Sequence, residues 1–230
     1  MTIFLDIGAT LIEGPAKSPS RFLADRLGLD EETRLHIEHY LLTHVIDSVG
    51  DLIRYLSSEH RLTYNRVWNT VISLWRSQVE DPRIVDGAES LLNGLYSIGA
   101  DYGFISNIWY PYQATFSQLF GPLAHRELSF FSYLVGRAKP DVRLYKHAIT
   151  RCHKPPGSCV MVGDSYETDI APAMEAGMKT VWVLHRIEKE KRFYADVVAG
   201  RRPPPSLVVS SIRDISPMTL LTLSSGKPVR

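Results

Sequence analysis

Short runs of nearly unbroken apolar residues punctuate the chain: TIFLD (2–6), YGFIS (102–106), LSFFSY (128–133), CVMVG (159–163), TVWVL (180–184) and LVVS (207–210). Each is bounded by polar residues or glycine. A strand with one wet face alternates apolar and polar residues, so an unbroken apolar run predicts a strand covered on both faces. Between the runs, DGAESLLNGLYSIG and DVRLYKHAITRC repeat apolar residues at helical spacing, and TDIAPAMEAG closes on Gly177, a helix stop. This alternation predicts an α/β fold with a doubly wound, Rossmann-like parallel sheet.

One segment breaks the rhythm. From Pro19 to Val79 no strand pattern occurs, and SRFLADRLG, EETRLHIEHYLLTHVID, VGDLIRYLSSEH and YNRVWNTVISLWRSQV read as consecutive helices. That is far too long for a connection inside a compact domain. It predicts an all-helical unit at 19–81 inserted into a core made of 1–18 and 82–230, with EDPRIVDG (80–87) carrying the chain back. Leu41, Tyr55, Trp68 and Trp75 are expected to form the inserted unit's own core. RRPPP (201–205) reads as a stiff connector and LTLSSGKPVR (221–230) as a loose tail.

Composition narrows the function classes. With 26 basic and 25 acidic residues among 230, the formal charge is +1, which gives no reason to expect a nucleic-acid or membrane partner. The run HRIEKEKR mixes Glu188 and Glu190 with its cations and reads as a solvated face. Cys152 and Cys159 make no disulfide framework and fit a reducing compartment. There is no apolar run of bilayer-spanning length, and Asp6 follows too closely on the N-terminus for a leader. The expectation is a cytoplasmic protein.

The candidate chemistry lies at strand ends, where open α/β sheets bind ligands. Asp6 ends the first run, Ser106 and Asn107 the second; Lys139 follows the third, and Asp164 and Asp169 the fourth. Taken singly, these residues make ordinary caps and turns. Together they gather carboxylates that would repel one another, a charge pattern usually solved by a hard divalent cation. The histidines His36, His39 and His44 lack a cysteine or acidic partner in register and are read as surface or packing residues.

These motifs resemble the haloacid dehalogenase superfamily, in its branch with a helical cap after the first strand. FLDIGATL, FISN, SYLVGRAKPD and VGDSYETDIAPAMEAGMKTVWV are similar to its motifs in order and spacing. The resemblance implies a Mg2+-dependent phosphohydrolase acting on a small phosphorylated metabolite through an aspartyl-phosphate. Asp6 would be the nucleophile, with Lys139 as its catalytic partner. Thr10, Ser106, Asn107 and Lys139 would bind phosphate. Asp6, the Gly8 carbonyl, Asp164 and Asp169 would hold the metal. Cap closure would exclude water, and Trp109, Tyr110 and Tyr112 would line an entrance or form a packed loop.

Gly8 departs from the pattern, because the superfamily's phosphatases usually carry a second aspartate there as general acid and base. The loss of such a group costs about 10²–10⁴ in rate. Slow turnover, or a restriction to good leaving groups, is expected. Glu13, His44, Asp47, Asp51 and His60 are candidates to replace it. A weak phosphate-ligand or partner-binding protein of the same fold is the alternative, and 2-haloacid dehalogenase chemistry a lesser one. Schiff-base phosphonate cleavage needs a cap lysine, and the chain has none from Ser18 to Ala138.

Overall fold

The computed structural model describes residues 1–60 and 62–224. Its strands are β1 (Thr2–Leu5), β2 (Ile12–Glu13), β3 (Arg83–Ile84), β4 (Tyr102–Ser106), β5 (Ser129–Phe131), β6 (Cys159–Gly163), β7 (Lys179–Val183) and β8 (Leu207–Val209). The six apolar runs all enter one sheet, parallel throughout, in the order β5-β4-β1-β6-β7-β8. The period of two divides its faces. Ile3, Leu5, Phe104, Val160, Val162, Val181 and Val183 pack into one apolar cluster, while Phe4, Ile105, Phe130 and Met161 pack into another on the opposite face. Strands β2 and β3 form a separate antiparallel ribbon. At two residues each they carry no readable periodicity, and the sequence pattern did not predict them.

The helices are α1 (Pro19–Leu27), α2 (Glu31–Thr43), α3 (Val49–Glu59), α4 (Tyr64–Glu80), α5 (Ala88–Ser97), α6 (Tyr110–Phe120), α7 (Ser132–Val135), α8 (Val142–Cys152), α9 (Ala171–Glu175), α10 (Ile187–Val198) and α11 (Pro217–Ser224). Helix α8 packs on the Phe4 face, whereas α5 and α6 cover the Ile3 face. Of the expected tail, residues as far as Ser224 belong to α11, and 225–230 lie outside the described residues. No helix among the described residues is long and apolar enough to cross a membrane.

Helices α1 to α4 follow one another without a strand and share one apolar cluster that includes Leu23, Leu41, Leu52, Tyr55, Val67 and Leu74, with Trp75 packed against it. The starts of α1, α2 and α3 are capped: Ser18, Asp30 and Ser48 each accept a backbone N–H from the first turn. Trp68 corrects the expected core, being 42% exposed and stacked obliquely on Tyr64. The buried face of α4 runs through Val67, Val71, Leu74 and Gln78, and Trp68 lies one residue out of that phase. Trp109, from the loop after β4, also joins the helical cluster. Its indole N–H donates to Gln78 Oε1 at 3.0 Å, and its ring meets Trp75 edge to face at 5.4 Å.

Candidate functional site

Asp6 lies just past β1, where its N–H still donates to the Val162 carbonyl at 2.9 Å. This ladder bond fixes a buried carboxylate over the C-terminal edge of the sheet. The chain then turns back on itself, with the N–H groups of Leu11 and Ile12 returning to the Ile7 carbonyl at 2.9 and 3.0 Å. Ala9 sits in this turn at φ 57°, a left-handed conformation that costs a side-chain-bearing residue about 1–2 kcal/mol. Strain of this kind collects at functional sites. Gly8 is different: its φ lies outside the left-handed region, and nothing stands within 4 Å of where a Cβ would be. The fold therefore does not require glycine at the position where the sequence departs from its resemblance.

Three other elements converge on Asp6. Ser106, at the end of β4, donates to Oδ1 at 3.0 Å, and Thr10 donates to Oδ2 at 3.4 Å. Lys139 Nζ, buried to 6% exposure, donates to Asp6 Oδ1 at 2.6 Å and also to Asp169 Oδ1. The Asn107 side chain, from the cleft wall, grips the Lys139 backbone. Its amide nitrogen donates to the Lys139 carbonyl at 3.0 Å and its Oδ1 accepts the Lys139 N–H at 2.7 Å. Both ends of the amide are committed to positioning the lysine.

Asp169 is carried by a single π turn, Tyr166–Ile170, of the kind that often marks functional positions. Tyr145 donates its hydroxyl proton to the Thr168 carbonyl in this turn, and Asp169 Oδ2 accepts the Ser165 N–H at 3.0 Å. The turn presses so closely on β6 that a Cβ at Gly163 would lie 2.5 Å from both Cβ and Cγ of Asp169. Gly163→Ala is expected to destabilise the protein by about 1–3 kcal/mol, measured by thermal denaturation. The same displacement of Asp169 should weaken divalent-cation binding. A variant with unchanged melting and cation affinity would contradict this packing.

Asp164 Oδ2 accepts a bidentate contact from Arg186, through Nε at 2.9 Å and a terminal nitrogen, and the Asp164 carbonyl accepts from Trp182 Nε1 at 3.1 Å. Arg186 was not among the sequence candidates. It stands three residues past the end of β7, so the strand-end rule that found the other residues would have found it. The reading of HRIEKEKR as a solvated face concealed it; that reading holds for Glu188, Lys189, Lys191 and Arg192 and fails for Arg186 and Glu190. Glu190 is also turned inward, accepting the Tyr166 N–H at 2.7 Å.

Oxygens of Asp6, Asp164 and Asp169 lie within 4.8 Å of one another, and all three side chains are buried. Lys139 and Arg186 together cannot balance three ionised carboxylates. Burial, with Lys139 opposing it, pushes Asp169 up to about 7. Burial and the nearby Asp6 also raise Asp164, against Arg186. Burial works against the Lys139 ammonium, but Asp169 and Asp6 more than offset it and hold the lysine above its ordinary value. A compact set of hard oxygen donors with surplus negative charge suits a small divalent cation.

The site opens into a cleft of about 550 Å³ between the sheet edge and the four-helix segment. Gly8, Glu13, Leu41, Trp109, Tyr112 and Arg186 line it. Trp109 and Tyr112 thus serve both as wall and as packing, while Tyr110 is exposed. Among the proposed replacement acids only Glu13 lines this cleft. His44 stacks on Tyr40, His60 meets Tyr55 and His36 edge to face, and Asp51 is bound by Ser48 and Arg54. The aspartate triad is the one metal-competent cluster found among the described residues, and it contains no histidine.

Residues 136–215 match the HAD-hydrolase-like family model. The chain is 35% identical over 107 residues to the pyrimidine 5'-nucleotidase YjjG of Escherichia coli, an alignment covering 45% of this chain and 47% of that protein. It is 46% identical over 78 residues to the N-acylneuraminate-9-phosphatase of Rattus norvegicus, covering 34% and 28%. The chain thus spans about half the length, or less, of these relatives. Among solved structures, a HAD hydrolase of family IA, variant 3, from Entamoeba histolytica superposes with a TM-score of 0.63 at 15% identity, covering 98% of this chain and 99% of that one. A 2-haloacid dehalogenase from Pseudomonas syringae superposes with a TM-score of 0.61 at 16% identity, covering 96% and 98%.

Proposed function

We propose that this chain, whose residues 136–215 match the HAD-hydrolase-like family model, is a phosphohydrolase of small phosphorylated metabolites, with Asp6 as its nucleophile. The observation that carries this reading is the convergence of Lys139, Ser106 and Thr10 on one buried carboxylate beside two further aspartates. The phosphatase names of the sequence relatives support it over dehalogenation.

In this reading Lys139 and Ser106 hold Oδ1, so that Oδ2, under the weaker hold of Thr10, attacks phosphorus. The Asp6–phosphorus bond forms as the alcohol leaves. Water then attacks the same phosphorus, releasing inorganic phosphate and restoring the carboxylate. Lys139 faces the charge that develops on the phosphoryl oxygens and needs no reorganisation to do so. A Mg2+ held by Asp6, Asp164, Asp169 and the Gly8 carbonyl would supply further positive charge there. Residues 19–81 act as the cap that sets access to the cleft, with 1–18 and 82–230 as the core.

Because Gly8 itself supplies no proton, aryl and acyl phosphates, whose leaving groups depart unprotonated, are the substrates least sensitive to its loss. The test is hydrolysis of p-nitrophenyl phosphate with millimolar Mg2+ and with chelator. Turnover that depends on the cation is the expected result. Turnover indifferent to chelation, or none above background, would overturn the proposal and leave a binding protein of this fold.

A further inference from the structure

We propose that Glu13, seated against His185, supplies the proton that Gly8 cannot, as the general acid and base of the hydrolysis. The inference rests on the phosphohydrolase reading above. Glu13 Oε1 lies 2.6 Å from His185 Nε2, across 172 residues of sequence, and Glu13 and Gly8 line the same cleft. The rest of the carboxylate is not taken up by this contact.

The placement of Glu13 is built. Glu13 stands opposite Arg83 in the β2–β3 ribbon, and the adjacent Ile12 carbonyl accepts the Tyr112 hydroxyl at 3.2 Å. Gly14 makes room for that tyrosine, since a Cβ there would lie 2.8 Å from its hydroxyl oxygen. The other acid on the cleft wall, Glu38, is bound by Arg34, which Glu31 also holds, so it sits in a closed ion-pair network. The charged and titratable groups around the Glu13–His185 pair are Arg83 across the ribbon, Tyr112 from α6, and Arg186 and Lys189 at the start of α10.

The proton balance closes over the two steps. As Asp6 attacks phosphorus and the P–O bond to the substrate breaks, Glu13 gives a proton to the departing oxygen. His185 Nε2 then steadies the ionised carboxylate across their hydrogen bond. When water attacks the phosphorylated Asp6, Glu13 takes the water's proton and the pair returns to its starting state. Glu13 is the catalytic group, and His185 is a positioning residue.

The experiment compares an alkyl phosphate with p-nitrophenyl phosphate, using the full chain with Mg2+ and with melting temperature as the folding control. Glu13→Gln is expected to lower kcat for the alkyl ester about 10²-fold. It should lower the aryl ester far less, so that the alkyl-to-aryl ratio falls at least about tenfold. His185→Gln should lower kcat for the alkyl ester rather than raise its KM. Adding Gly8→Asp to Glu13→Gln should restore most of the alkyl activity, since the open space at Gly8 admits an acid. Equal loss on both esters, or no loss on either, overturns the assignment while leaving the phosphohydrolase reading intact. If the unaltered chain cleaves neither ester, that reading fails and the assignment falls with it.

Discussion

Asp6→Asn is expected to lower turnover of p-nitrophenyl phosphate by at least about 10³-fold while leaving the protein folded. The substitution is nearly isosteric, and a carboxamide cannot form the acyl phosphate. The side chain can still accept from Ser106 and Lys139, so the local geometry should survive. Removing one of three crowded carboxylates also relieves repulsion, and the metal-free variant should melt no lower than the parent. Loss of activity without loss of stability separates a reacting group from a structural one. A variant that keeps more than about a tenth of the parent rate would exclude Asp6 as nucleophile.

Lys139→Met should have the largest effect on stability. The lysine stands between Asp6 and Asp169 with its side chain almost wholly buried. Removing it leaves buried acids with Arg186 as the remaining cation in contact, on Asp164. Stripping one partner from a buried ion cluster typically costs about 3–5 kcal/mol, because a desolvated charge is left behind. For a chain of this length that is a fall in Tm of roughly 6–20 °C. Millimolar Mg2+ should recover part of it, since a cation that binds the folded state alone stabilises it. An unchanged Tm and no recovery with Mg2+ would show that the acids are not crowded as described.

The same cluster sets a pH dependence. Asp169 is raised to about 7, above its ordinary carboxylate value, mainly by burial. A carboxylate raised on folding favours the fold most at low pH, and that contribution is lost as pH rises through the folded value. Stability of the metal-free protein should therefore fall between about pH 4 and 7 on this account. A cation requires the ionised form, so the Tm gain from Mg2+ should widen over the same range.

The sheet was legible because its strands, the edge strand β8 excepted, are largely buried on both faces and so leave unbroken apolar runs. Most of the polar residues on its rim were legible from strand ends and from the order of the motifs. Three features were not. Arg186 carries the same strand-end signature as Lys139 but is hidden in a run of mixed charge. The backbone-holding task of Asn107 is invisible in sequence, because an amide that grips a main chain 32 residues away leaves no periodic trace. Trp68 failed for the opposite reason: its apolar character was visible, but its position around α4 depends on a phase of one residue.

Trp109 bears on how material moves through the molecule. Its indole is buried among the helices and tied to Gln78, although its backbone belongs to the loop after β4. To swing α4 away from that loop would expose a large aromatic surface and break a buried bond, a cost of about 3–5 kcal/mol. Widely opened molecules would then be outnumbered by roughly a hundredfold or more. Small molecules would then reach Asp6 through the cleft that Lys17 and Lys189 help to line, without the four helices swinging away.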